Sequence, residues 1–531
     1  MRRASRRSLF SIALLAGALI SCPGSRETSS SGPPTPGAPV IIVSIDTLRA
    51  DHLPAYGYKG VETPAIDAFR NDAVLFQEAY SHCPMTLPSH LSMLTGLLPQ
   101  EHGVRNNLGY RFDSAAHSSI PRLLHESGYA TGAAVSAYVL KGDTGLSSAF
   151  DFYDDKLVAQ ADTSIGELSR PGPATLAVAR TWIDGRKETP FFFLFHLFEP
   201  HTPYAPPEPF KSRFASAYDG EIATADAVVG ELFAYLKSSG IYDRAIIIVL
   251  SDHGEGLNDH GEGEHGLFLY RETIRVPLML KLPNSRLAGM TVAHPVQLID
   301  VLPTVASLVG AKVPAGLRGS SLLGGGASPV VPIYSETYLP RIHFGWSELR
   351  SLVDDRHHYI EAPRPELYDI VADPGEKMNA IAEQRREYAS LKQAMQAYEA
   401  KFETPANVNA EEAAKLAALG YIGSVRSDGD DGARLDPKDG VADLETMKRA
   451  SQLERSDDYR GAIALYRSVV ERNAQFADAW FRLAIACERS GDAPSADEAF
   501  RRAIAIAPSL ASGFASAYGW FLLGQGRLDD A

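Results

Sequence analysis

Carboxylate and imidazole side chains gather at three points along the chain: Asp46-Thr47, His196 with Glu199-Pro-His201, and Ser251-Asp252-His253-Gly254. Such groups ligate divalent cations, and imidazole also moves protons near neutral pH. One Asp after a strand caps a helix or turn; three clusters built from metal-ligand residue types point instead to an active site. Between the first two clusters lies the run Ser81-His-Cys-Pro-Met-Thr-Leu-Pro-Ser-His90. Thr86 stands just before Pro88, a residue favoured in a first helical turn. A hydroxyl there faces free N–H groups and the positive end of a helix dipole, which suits a phosphate or sulfate ester. The same chemistry explains Thr86 as a plain N-cap, and both readings stay open.

Residues 39–45, 191–195 and 245–250 are apolar runs, and each leads straight into one of the clusters. Runs of this kind read as strands buried on both faces. Helical patterns lie between them, over 64–79, 117–128 and 220–238. The alternation predicts an α/β fold with a mostly parallel sheet sandwiched by helices. Ligands of such sheets bind beyond the carboxyl ends of the strands, where all three clusters fall.

The chain has 531 residues, 45% hydrophobic and 22% charged, enough for a large core and an accessory module. A net charge of −14, with no Lys/Arg-rich run beyond the first seven residues, excludes nucleic acid as a partner. The three cysteines, Cys22, Cys83 and Cys487, form neither a disulfide framework nor a paired zinc-ligand set. Arg2, Arg3, Arg6 and Arg7 precede an apolar stretch over 9–20 that ends in Leu19-Ile20-Ser21-Cys22. This reads as a lipoprotein signal peptide over 1–22, too short to span a bilayer, with Cys22 as the lipid anchor. Pro23 in place of Asp predicts outer-membrane sorting, facing periplasm or cell surface. Residues 23–38 are a flexible tether.

Several ordered motifs make residues 38–425 similar to the sulfatase family of the alkaline phosphatase superfamily. They are Ile45-Asp-Thr-Leu-Arg-Ala-Asp-His-Leu53, Thr63-Pro-Ala-Ile-Asp67, Thr86-Leu-Pro-Ser-His90 with Met93-Leu-Thr-Gly96, Glu199-Pro-His-Thr-Pro-Tyr204, Ser251-Asp-His-Gly-Glu255, Arg275-Val-Pro-Leu278, Ile299-Asp-Val-Leu-Pro-Thr304 and Glu366-Leu-Tyr-Asp-Ile370. The resemblance implies an alkaline-phosphatase-like catalytic domain over 39–380, a helical tail over 381–425, and hydrolysis of sulfate or phosphate esters. The departures carry as much information. Sulfatases usually have Cys-x-Pro-x-Arg, whose Cys is oxidised to formylglycine; here Thr86 and His90 occupy those ends, and no formylglycine is expected. Ser136-Ala-Tyr-Val139 stands where the usual Gly-Lys-x-His is found.

On this resemblance Asp46, Asp252 and His253 are expected metal ligands, with Thr86 as a nucleophile bridging metal and anionic ester. Imidazole in the set favours zinc or manganese over calcium. His201 sits where sulfatases place a substrate-contacting His, and is expected to steady the ester or protonate the leaving oxygen. His265, His260 and Glu199 are expected around a second metal or the substrate, and His90 and Asn107 against the substrate. The first alternative is a phosphodiesterase or phosphotransferase on the same site. The second is a non-catalytic scaffold.

After an acidic linker over 426–440, a period of 34 residues marks tetratricopeptide (TPR) repeats over 441–531. Trp480, Leu483, Ala484, Cys487, Ala496, Phe500, Ala503 and Pro508 recur one period earlier as Ala450, Leu453, Ala462, Tyr466 and Ala474, and one period later as Phe514, Ala517 and Phe521. The sequence ends at Ala531, so the third repeat reads as incomplete. Such an all-α module is expected to bind a protein or peptide partner.

Overall fold

The computed structural model describes residues 34–107, 109–157, 169–324, 331–398, 402, 434–506 and 511–530. The signal segment with Cys22, the first part of the tether, residues 403–425 of the helical tail, most of the linker and Pro508 lie outside them.

Nine strands form the main sheet, in the order β4-β3-β5-β1-β6-β7-β2-β8, with β9 beside β2. They are β1 (Val40–Ile45), β2 (Val74–Tyr80), β3 (Ala130–Ala134), β4 (Phe152–Asp154), β5 (Phe191–Leu197), β6 (Ile246–Leu250), β7 (Arg275–Lys281), β8 (Thr291–Val292) and β9 (Val296–Gln297). Only β7 runs against its neighbours. The three apolar runs become adjacent parallel strands, β5-β1-β6, buried throughout.

Successive side chains of a strand point to opposite faces. Val40, Ile42, Phe192, Leu194, Ile246 and Ile248 therefore enter one core, with α2 (Thr86–Thr95) and α5 (Val301–Val309). Ile41, Val43, Phe193, Phe195, Ile247 and Val249 enter the other, with α1 (Pro64–Asp72), α3 (Gly172–Asp184) and α4 (Ala217–Ser238). One correction concerns 64–79, read above as a helix. The helix stops at Asp72, and Val74-Leu-Phe starts β2, because those side chains fit buried pairing with β7.

A second, antiparallel sheet follows: β10 (Ile333–Thr337), β11 (Leu349–Val353), β12 (His357–Glu361) and β13 (Glu366–Asp369), with α6 (Arg385–Met395) packed on it through Leu391 and Met395. Among the described residues five helices follow: α7 (Pro437–Arg455), α8 (Tyr459–Arg472), α9 (Ala477–Ser490), α10 (Ala493–Ile506) and α11 (Ala511–Gly524). The period seen in the sequence separates α8 from α10 and α9 from α11. Cys487 is buried between them. Among the described residues, no helix is long and apolar enough to cross a membrane.

Candidate active site

Strand register assembles the clusters. Ser44 of β1 lies opposite His196 of β5 and opposite Leu250 of β6. Asp46 comes two residues after Ser44, and Asp252 two residues after Leu250, so both carboxylates leave the sheet at the same edge. The chain turns hard there. Thr47 has φ of 54°, a region β-branched residues avoid, and the Tyr218 hydroxyl donates to its carbonyl at 2.7 Å. After His253, a Cβ on Gly254 would sit 1.9 Å from the Glu272 carbonyl oxygen, so only glycine passes.

Asp46, Asp252 and His253 each place a ligand atom within 4.8 Å of the others, the one such group of three among the described residues. His253 Nδ1–H donates to the Gly254 carbonyl at 3.0 Å. That leaves the lone pair on Nε2, which lies 3.5 Å from an oxygen of each aspartate, as a metal ligand requires. Both carboxylate oxygens of Asp46 and of Asp252 are buried without a hydrogen-bond partner, as is the Thr47 hydroxyl. Unpaired buried carboxylates cost several kcal/mol unless a cation or a proton joins them. Burial accordingly pushes both carboxyls upward, and with the added charge of Asp46 the Asp252 carboxyl reaches about 7. Two carboxylates and one imidazole are donors that suit a divalent cation.

Thr86 opens α2, with Met85 as the N-cap. Its hydroxyl is turned to His253 Nε2, at 3.3 Å. The free Leu87 N–H is taken by Asn107 Oδ1 at 2.8 Å, so Asn107, expected on the substrate, serves the helix end. His90 spends both ring nitrogens inward: Nδ1–H donates to the Thr86 carbonyl at 2.8 Å, and Nε2 accepts from Ser44 Oγ at 2.9 Å. It braces Thr86 from behind, and its ring lies 3.4 Å from Asp252 Oδ2. Cys83 is buried, and burial holds its thiol well above the usual range, so it is no competing nucleophile.

His201 donates from Nδ1 to the Thr202 carbonyl at 2.6 Å and stacks on Phe198. His265 donates from Nδ1 to Glu255 Oε1 at 3.0 Å. The His265 ring centre lies 5.0 Å from that of His201 and 4.4 Å from that of His253. Each of these rings keeps a bare Nε2, and burial favours the neutral form. The other two residues expected around a second metal stand elsewhere. Glu199 Oε1 accepts the Gly172 N–H, while His260 bonds Glu272 and stacks on Tyr270. The glycine-rich loop doubles back, with Gly256 N–H on the Glu264 carbonyl; His265 comes to the site, while His260 bonds Glu272 and the Glu376 carbonyl.

Two residues that the sequence reading left without a role join the site. Glu255, fully buried and pushed up to about 7 by burial, holds both His265 and the Tyr204 hydroxyl. His196 accepts the Ser136 backbone N–H on Nδ1 at 3.2 Å, so its own proton sits on Nε2, 3.5 Å from Asp46 Oδ2. Both lie within motifs quoted above, which is the signal that was available.

The sulfatase family model matches residues 39–311, and a model of the N-sulphoglucosamine sulphohydrolase C-terminal region matches 263–403. An ulvan-active sulfatase from Formosa agariphila is 25% identical over 352 residues, covering 57% of this chain and 68% of that protein. A phosphonate monoester hydrolase from Agrobacterium radiobacter has the same fold, with a TM-score of 0.57 at 21% identity over 68% of this chain and 94% of that one. So does the Ps i-CgsB protein solved in complex with a neocarrahexaose, with a TM-score of 0.59 at 21% identity over 72% of this chain and 97% of that one. The matched span holds the β5-β1-β6 core, Thr86 and the Asp46–Asp252–His253 group, and the chain belongs to the sulfatase family of hydrolases.

Proposed function

We propose that this protein hydrolyses sulfate esters of saccharides by direct attack of Thr86, with a divalent cation held by Asp46, Asp252 and His253. One observation carries this reading: the Thr86 hydroxyl lies 3.3 Å from His253 Nε2, beside carboxylate oxygens that have no other partner. A threonine cannot become formylglycine, because its Cβ already bears a methyl group. When bound, the cation acts as a Lewis acid on the ester and favours the alkoxide form of a nearby hydroxyl. The chain's own residues do the rest. Thr86 Oγ attacks sulfur, forming an ester on Thr86 as the bond to the leaving oxygen breaks. The bare Nε2 of His201 takes up the hydroxyl proton and returns it to the leaving oxygen. Water then cleaves the Thr86 ester, releasing sulfate and restoring the hydroxyl. The ulvan-active relative and the neocarrahexaose complex support a saccharide substrate.

A second reading keeps the mechanism and replaces sulfur by phosphorus, as a phosphodiesterase or phosphotransferase. Thr86 and His90 depart from the formylglycine pattern, and the phosphonate monoester hydrolase shares the fold. Turnover of aryl sulfate, aryl phosphate and aryl phosphonate esters by the full chain, loaded in turn with zinc, manganese and calcium, separates the two. Thr86→Ala is expected to lower kcat on the order of a thousandfold or more with the fold intact. Asp252→Asn is expected to lose bound metal by elemental analysis. Near-wild-type turnover of the first, or full metal content in the second, refutes the mechanism.

The same reading makes the protein an exported lipoprotein held to the outer membrane by Cys22; Cys22→Ser should release it to the soluble fraction. It takes α7–α11 as tetratricopeptide-type repeats.

A further inference from the structure

The cleft above the site has two walls from distant parts of the chain. It encloses about 920 Å³. His201, His265 and the loop 262–265 line one wall, and α7 and α9 line the other. On α7 the lining positions Val441, Leu444, Lys448, Ser451 and Arg455 recur at helical spacing, and on α9 so do Asp478, Arg482, Ile485 and Arg489. Each helix thus gives the cleft one continuous face.

The helices are fixed to the catalytic body. Lys448 pairs with Glu264 at 3.1 Å, beside His265. Trp346 packs against Gly440, and Phe344 and Trp346 both meet Phe476. Most acids of the lining are already engaged: Glu264 and Glu445 by Lys448, Glu262 by the Leu267 and Phe268 N–H groups, Glu454 by Tyr466, Asp457 by Tyr459. Arg455, Arg482 and Arg489 have no carboxylate within 4 Å among the described residues, which leaves three cations facing the space that leads to His201.

We propose that this arginine stripe is a subsite for further anionic groups of an extended substrate, a multiply sulfated oligosaccharide whose reacting ester reaches Thr86. It rests on the sulfate-ester reading above. The planar guanidinium suits a sulfate oxygen pair, and continuity with the catalytic histidines favours a substrate over a separate protein partner.

The test uses the full chain and the triple variant Arg455→Ala, Arg482→Ala, Arg489→Ala. Binding of fluorescent low-mass dextran sulfate is followed by polarisation, and turnover is measured on a small aryl sulfate. The triple variant is expected to weaken dextran sulfate binding at least tenfold and to leave aryl sulfate kcat/KM within twofold. The control variant Arg449→Ala, Arg460→Ala, Arg502→Ala removes equal charge outside the cleft lining, on α7, α8 and α10, and is expected to keep dextran sulfate binding. Unchanged binding in the triple variant, equal loss in the control, or loss confined to a poly-glutamate peptide probe overturns the subsite, the last in favour of an acidic protein partner. Absence of aryl sulfate turnover in the wild-type chain counts against the catalytic reading alone, because the dextran sulfate comparison still judges the stripe.

Discussion

His253 and His196 flank Asp46 and carry their protons on opposite nitrogens, because one ring donates to a carbonyl and the other accepts from an N–H. His253 thereby offers Nε2 to the proposed metal, and His196 is a donor aimed at Asp46 Oδ2. Partners of this kind, one step removed from a metal, typically change its affinity 10- to 100-fold when lost. His196→Ala is therefore expected to weaken metal binding by about that factor while Thr86 stays in place, as read by competition with a chromogenic chelator. Unchanged affinity would remove His196 from the site. The sequence was informative about Asp46, Thr86, Asp252 and His253, whose neighbours in the chain announce them. It could not reveal the His196 tautomer, which depends on Ser136, 60 residues away. Nor could it show that Asn107 gives its Oδ1 to a helix end, or that both His260 ring nitrogens bond to Glu272 and the Glu376 carbonyl.

At the scale of elements, the site follows from three neighbouring parallel strands of matched register. Those strands were legible because both faces are apolar. β2 was not, because the helix before it ends without a glycine or proline to mark the change. The segment after β2 does further work. His82 Nδ1–H donates to the Tyr334 carbonyl at 2.6 Å, and Glu336 N–H donates back to the His82 carbonyl, stitching the main sheet to β10. Burial lowers the His82 ring to about 4. The folded state keeps it neutral, whereas the unfolded chain takes up a proton below about 6.5. This contribution is present above about pH 6.5 and is lost as pH falls towards 4, at up to about 1.4 kcal/mol per unit. Replacing the ring in His82→Asn should flatten the fall of Tm across that window by one proton's worth; an unaltered slope would show that His82 does not couple to folding.

At the scale of the molecule, the helical module and the catalytic body meet where no side chain can be added. A Cβ on Gly440 would lie 2.3 Å from the Trp346 ring, well inside contact distance. Gly440→Val is expected to cost about 1–3 kcal/mol of docking, seen as faster hydrogen exchange along α7 with aryl ester turnover retained. Exchange equal to wild type would mean that the interface is not closely packed in solution. The chain enters the main sheet at the edge away from Asp46. Gly37 N–H meets the Tyr129 hydroxyl and Thr35 N–H meets the Leu308 carbonyl, both below the first residue of β1. The six residues of β1 then rise about 20 Å before reaching Asp46. On the proposed Cys22 anchor, any pull on residue 34 is applied at the edge of the sheet away from Asp46, so the mouth of the site is turned from the membrane towards the solution, where the proposed polymeric substrate would be met.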